Sequence, residues 1–213
     1  MAPNTAAPRQ KLVSDAAEYS GLVNRNRESL LEVARVVIVE ESVDASLRDV
    51  ARRAGVGIAT LYRHFPTREA LLEVVVRNGF DALRMLADEL IDDPSPRDAL
   101  VTWMRRFSAG SGTCRGLSGS VLAGLRDGTS ELHASSQGMH MAATRLLDRA
   151  QKAGEVRADV TATDVITMAA AVSWVAQIAD PDQATRVLSV LTDGPAPPTR
   201  DRTVVRRGAV VVA

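Results

Sequence analysis

The sequence predicts an all-α fold of about nine helices, a small N-terminal trio followed by a larger C-terminal bundle. Three observations point there. Aromatic residues are only 3% of the 213 positions, fewer than a β-sandwich usually spends. Ala, Leu, Arg and Glu, all good helix formers, crowd the chain. Apolar residues recur at helical spacing between glycine and proline breaks.

The elements follow in order. Residues 1–23, rich in Pro, Ala and Ser, read as a flexible arm. A first helix is expected from about Asn24 to Glu41, with Leu30, Leu31, Ala34, Val37 and Ile38 on one face. The second spans Leu47 to Ala54, opened by Ser46 as N-cap with Asp49 three residues on, a capping-box pattern. Gly55 makes the turn, and a short third helix runs from Ile58 to His64 before Phe65-Pro66 stops it. Thr67 caps a long fourth helix reaching about Ile91.

Past the break Asp92-Asp93-Pro94-Ser95-Pro96 comes a fifth helix carrying Leu100, Trp103, Met104 and Phe107. A short sixth is expected at Ser120–Arg126, a seventh from about Ser130 to Ala153, an eighth from Thr161 to Ala179 and a ninth from Pro181 to Leu191. Residues 195–213 read as a disordered tail. The domains expected are 24–75 and 76–194.

Composition narrows the class. The 26 basic residues balance 26 acidic ones, so no uniformly basic coat exists. The balance conceals two opposite stretches. Ser46 to Arg68 holds five arginines against Asp49 alone, whereas Asp81 to Leu100 holds six acids against two arginines. The single Cys114 excludes an intramolecular disulfide and reads as a small buried hydrophobe. No signal-peptide core opens the chain, and the stretch Val165–Ala179 is too short to span a membrane, so a cytoplasmic protein with no membrane partner is expected. His133 and His140 lie about two turns apart, but surface or capped histidines are the better reading, and no metal or cofactor is expected. Nucleophile elbow, phosphate loop and zinc-protease motifs are all missing, so no enzyme is expected.

The segment SLRDVARRAGVGIATLYRHF, Ser46 to Phe65, forms a helix-turn-helix pattern. Leu47, Val50 and Ala54 make one face of its first helix, small Ala51 permits a close crossing, and Leu61 packs back from the second. Ile58, Ala59, Thr60, Tyr62 and Arg63 are left outside, where a DNA major groove would meet them. Hydroxyls and arginines on one tip suit phosphate contact.

The run ARRAGVGIATLYRHFPTREALLE resembles the N-terminal DNA-binding domain of the TetR family of bacterial transcriptional regulators, closely over roughly Arg25 to Val75. The resemblance implies a three-helix head, a fourth helix linking to a regulatory and dimerisation domain, a homodimer on palindromic double-stranded operator DNA, and release by a small-molecule effector. It implies operator contacts by Thr60, Tyr62 and His64, close approach at Gly57 and Ala59, and a phosphate contact by Arg68. Arg48 and Arg63 complete the expected DNA-binding set. Two departures concern the first helix: Glu41-Ser42-Val43 stands where the family usually has a glycine, and Val37 and Ile38 replace a ring.

In the C-terminal half, Trp103, Met104, Phe107, Met139 and Leu146 are expected to line a pocket for a largely apolar effector. The eighth helix is apolar nearly all round, so one side should meet a partner. Met168, Val172, Trp174, Val175, Val187, Leu188 and Leu191 are the expected dimer seam, a place the resemblance also implies.

Overall fold

A computed structural model describes residues 26–38, 46–110, 119–178 and 181–193. The expected arm and tail, Cys114 and Glu41–Val43 lie outside them. The described residues form nine helices and no strand. In chain order they are α1 (26–38), α2 (Leu47–Arg53), α3 (Ile58–His64), α4 (Arg68–Leu90), α5 (Pro96–Gly110), α6 (Gly119–Arg126), α7 (Glu131–Lys152), α8 (Ala162–Ile178) and α9 (Pro181–Asp193).

Local chemistry sets the ends. The Ser46 hydroxyl accepts from the Arg48 amide at 3.2 Å and caps α2. The expected capping box is only half made: the Asp49 carboxylate accepts from Arg52 instead of reaching back to Ser46. A capping box normally uses Glu or Gln here, and Asp is one methylene shorter. Gly55, at φ 69°, ends α2. Its amide donates to the Arg52 carbonyl and the Val56 amide to that of Ala51, a Schellman closure. Gly154 (φ 74°) closes α7 in the same way. Thr67 Oγ1 accepts from Ala70 at 3.0 Å and opens α4, and the Thr161 and Asp164 side chains exchange bonds with each other's backbone at the start of α8.

α4 is the axis of the molecule. It packs mainly on α7, while α5 sits against α4, α7 and α8, and α9 covers α8. Ion pairs run from Arg77 to Glu131 and from Asp88 to Arg145, and the Arg149 guanidinium reaches the Asp93 carbonyl. Both sequences increase together, so α4 and α7 run parallel. Trp103 of α5 is fully buried, its Nε1 donating to the Leu83 carbonyl of α4 at 2.9 Å and its ring tilted against Phe107. Ser108 ties α5 to α8 by donating to the Ala169 carbonyl at 2.9 Å. α4 continues without interruption through position 75, so the head and the body share one helix.

Candidate nucleic-acid interface

The head is built from α1, α2, α3 and the start of α4. Leu30, Ala34, Val37, Ile38, Val50, Ala51, Leu61 and Phe65 are all buried in it. The aliphatic Val37 and Ile38 therefore fill the late part of α1 without a ring. Arg27 of α1 lies over the Phe65 ring at 5.7 Å, and Ser29 Oγ bonds the Ala54 carbonyl, fixing α1 on the helix pair.

This packing orients α3. Leu61 is fully buried, so its neighbours across the helix turn outward. Ile58, Ala59, Tyr62 and Arg63 are exposed, Tyr62 at 48%, and Thr60 and His64 flank them half-buried. Gly57 is the N-cap and brings no side chain to the surface, leaving the backbone open to a close approach. Arg48 of α2 is exposed, and Arg68 sits half-buried in the first turn of α4. Among the described residues, no hydrogen bond or ion pair engages the side chains of Arg48, Arg63 or Arg68. Arg52 differs, since Asp49 already holds it at 3.2 Å. Ile58 is exposed on the same outward face, where the packing of Leu61 predicts it.

The expected pocket residues divide differently. Trp103, Met104, Met139 and Leu146 are buried core, and Trp103 has its polar atom satisfied within the chain. Phe107 lines a cavity whose walls do not include the other four. That cavity, of about 350 Å3, lies between α1, α4 and α5, with Glu32, Arg35, Val75, Val76, Asn78, Phe80, Leu83 and Arg106 among its walls. The stripe pattern thus located a core whose void lies to one side.

On α8 and α9, Val172 and Leu188 face the chain's own core, whereas Trp174 (52% exposed) and Leu191 face out, joined by Ile178 and Val190. Met168, Val175 and Val187 lie between, half-buried against the core. Of the residues expected in the seam, Val172 and Leu188 are thus buried within the protomer, while Ile178 and Val190 are exposed on the same two helices. The two histidines serve separately: His133 Nδ1 lies 2.8 Å from the Leu125 carbonyl and His140 Nε2 3.3 Å from Thr163 Oγ1. The described residues contain no group of side chains that could hold a metal ion, and no helix among them is long and apolar enough to cross a membrane.

A chain whose described residues form helices alone, with the short helix α3 turned outward on a basic helix-turn-helix head, belongs to the class of helix-turn-helix transcriptional regulators. Residues 30–75 match the family model of bacterial regulatory proteins of the tetR family, and residues 95–197 match that of the SbtR-like transcriptional regulator C-terminal domain. The TetR transcriptional regulator SCO0520 from Streptomyces coelicolor is 37% identical, with a TM-score of 0.60 over 81% of this chain and 99% of that one. The chain belongs to the TetR family of bacterial transcriptional regulators. The repressor LfrR of Mycolicibacterium smegmatis is 32% identical over 80 residues, 38% of this chain and 42% of that protein. The chain thus spans less than half the length of this curated relative. The structure of LfrR from Mycobacterium smegmatis in complex with proflavine shares the fold at 21% identity, with a TM-score of 0.62 over 82% of this chain and 98% of that one.

Proposed function

We propose that the protein is a ligand-responsive transcriptional repressor that binds palindromic operator DNA as a homodimer in the cytoplasm, with no catalytic step. In this reading residues 24–75 bind DNA and residues 76–194 bind ligand and dimerise. The observation that carries it is the orientation of α3: Leu61 buried, with Ala59, Tyr62 and Arg63 outward. Such a helix fits a major groove, with Tyr62, Thr60 and His64 toward base edges and Arg48, Arg63 and Arg68 toward phosphates. Gly57 and Ala59 allow the backbone close approach.

Two copies place two α3 helices one DNA turn apart, about 34 Å. The outward Trp174, Ile178, Val190 and Leu191 supply the apolar surface on which a second copy closes. That LfrR is a repressor, and was crystallised with proflavine, supports a small-molecule effector here.

Selection of bound duplexes from a random pool tests the reading. A palindromic consensus bound by a dimer in sedimentation is expected, and recovery of no consensus refutes it. A second reading is a constitutive DNA-binding protein with no effector. The cavity beside α4 favours the effector reading, and a metabolite screen on the recovered site separates the two.

A further inference from the structure

The cavity sits where head and body meet, because α1 belongs to the head, α5 to the body, and α4 to both. Its floor is apolar and aromatic: Val76, Leu83, Phe80 and Phe107 are all buried. Space exists because Gly79 and Gly110 face it, and a Cβ on either would meet nothing within 4 Å. At about 350 Å3 the volume falls at the small end of ligand pockets, roughly 300–1,000 Å3.

The rim is charged unevenly. Glu32 and Arg35 are one turn apart on α1 and pair at 2.9 Å, cancelling each other. Arg106 remains, a cation with no ion-pair partner among the described residues, and Asn78 adds an amide to the lining. An apolar floor under one net positive charge suits a molecule with a hydrocarbon body and one anionic end. An uncharged molecule would leave the cation unused, and a cation would be repelled.

We propose that this cavity binds a small apolar carboxylate, its body on Phe80 and Phe107 and its carboxylate on Arg106. Such a ligand touches α1 and α5 at once, so its binding depends on how the head sits against the body. A ligand shifts a conformational equilibrium only by its differential affinity for the two arrangements. That the occupant is also the effector rests on the function proposed above.

Calorimetry on the full chain with 1-naphthoate and octanoate, each beside its methyl ester, tests the site. One saturable site is expected for at least one acid, with the ester weaker by about tenfold or more. Arg106→Gln should remove that preference for the acid. Gly79→Leu fills the space from a helical position and should abolish binding, and Ala82→Leu is the second filling variant should the first fail to fold. No saturable binding of either acid, or undiminished binding in the filled variants, overturns the site. An ester that binds as tightly as its acid overturns the carboxylate. Anisotropy on operator DNA separates this from the function. Naphthoate or octanoate binding without DNA release upholds the cavity and refutes the effector role. Release by another metabolite that persists in Gly79→Leu upholds a ligand-released regulator and refutes this cavity as its effector site.

Discussion

The salt dependence of operator binding follows from which arginines of the head are already committed. Arg52 is held by Asp49 at 3.2 Å and Arg53 is engaged too, leaving Arg48, Arg63 and Arg68 as cations without described partners. A dimer then neutralises about six phosphates. Each contributes about −0.9 to the slope of log affinity against log salt, giving about −5.4 overall. Between 50 and 200 mM salt the affinity should fall roughly 2,000-fold. Arg63→Ala removes one contact per protomer. The slope should relax to about −3.6 and the same salt change should cost only about 150-fold. Arg63 is exposed on α3, so its truncation leaves the head's core intact. Fluorescence anisotropy with a duplex carrying the selected site, at several salt concentrations, measures both slopes. Arg157→Ala is the control. It lies beyond the C-terminal end of α7, which runs parallel to α4, and so at the far end of the body from α3. A wild-type slope flatter than about −2, or one unchanged by Arg63→Ala, would refute the assignment of these arginines to phosphates.

Three further outcomes are expected. Trp174→Glu should leave the monomer folded, since the ring is 52% exposed, while sedimentation shows the dimer dissociating; a dimer as tight as wild type removes Trp174 from the seam. Gly55→Ala keeps the space, because its Cβ meets nothing within 4 Å, but forces φ 69° on an L side chain. The cost is about 1–2 kcal/mol, which calorimetry should read as a Tm lower by roughly 2–8 °C. Asp127, Asp159 and Asp164 titrate below the ordinary value of 3.8, held by the Thr129 amide and hydroxyl, by the Arg157 guanidinium and by the Thr161 hydroxyl and amide. Their stabilisation is complete above pH 3.8 and is lost as pH falls through the lower folded values. Tm should therefore drop below that pH, and Asp164→Asn should shrink the drop; an equal drop in the variant would show that Asp164 contributes nothing.

Helix ends were the legible part of this fold because they are written in local chemistry. Ser46, Thr67, Ser130 and Thr161 announce starts, and Gly55 and Gly154 announce stops, each through a bond to a backbone group a few residues away. The outward face of α3 was legible for the same reason, since one buried Leu61 orients seven residues. The cavity was not. Trp103, Met104, Met139 and Leu146 mark a buried face, but periodicity is the same for a filled interior and a hollow one. The hollow is made by what is small, Gly79, Ala82, Ala109 and Gly110, and small residues leave no apolar signal. On α8, apolar nearly all round, no pattern could tell Val172 from Trp174. The choice depends on where α5 and α9 come to rest against it.

α4 carries this arrangement from one end of the molecule to the other, and the strengths of its contacts are unequal along its length. The ion pairs to α7 are largely exposed, and such pairs contribute only about 0.2–1 kcal/mol each. The firm attachment is buried: Trp103 Nε1 on the Leu83 carbonyl, inside the core where water cannot substitute. From Leu83 back to Arg68 the helix extends roughly 22 Å at 1.5 Å per residue. The cavity lies along that same stretch, bordered by Val75, Asn78, Gly79 and Ala82. A tilt of about 5° about Leu83 would displace the start of α4, and α3 with it, by about 2 Å. In a dimer both heads move, so the spacing of the two α3 helices changes by up to about twice that against a DNA repeat of about 34 Å. Typical allosteric couplings are about 1–3 kcal/mol. A ligand contacting α1 and α5 beside the pivot needs a difference of only that size between the two spacings to loosen the hold on DNA.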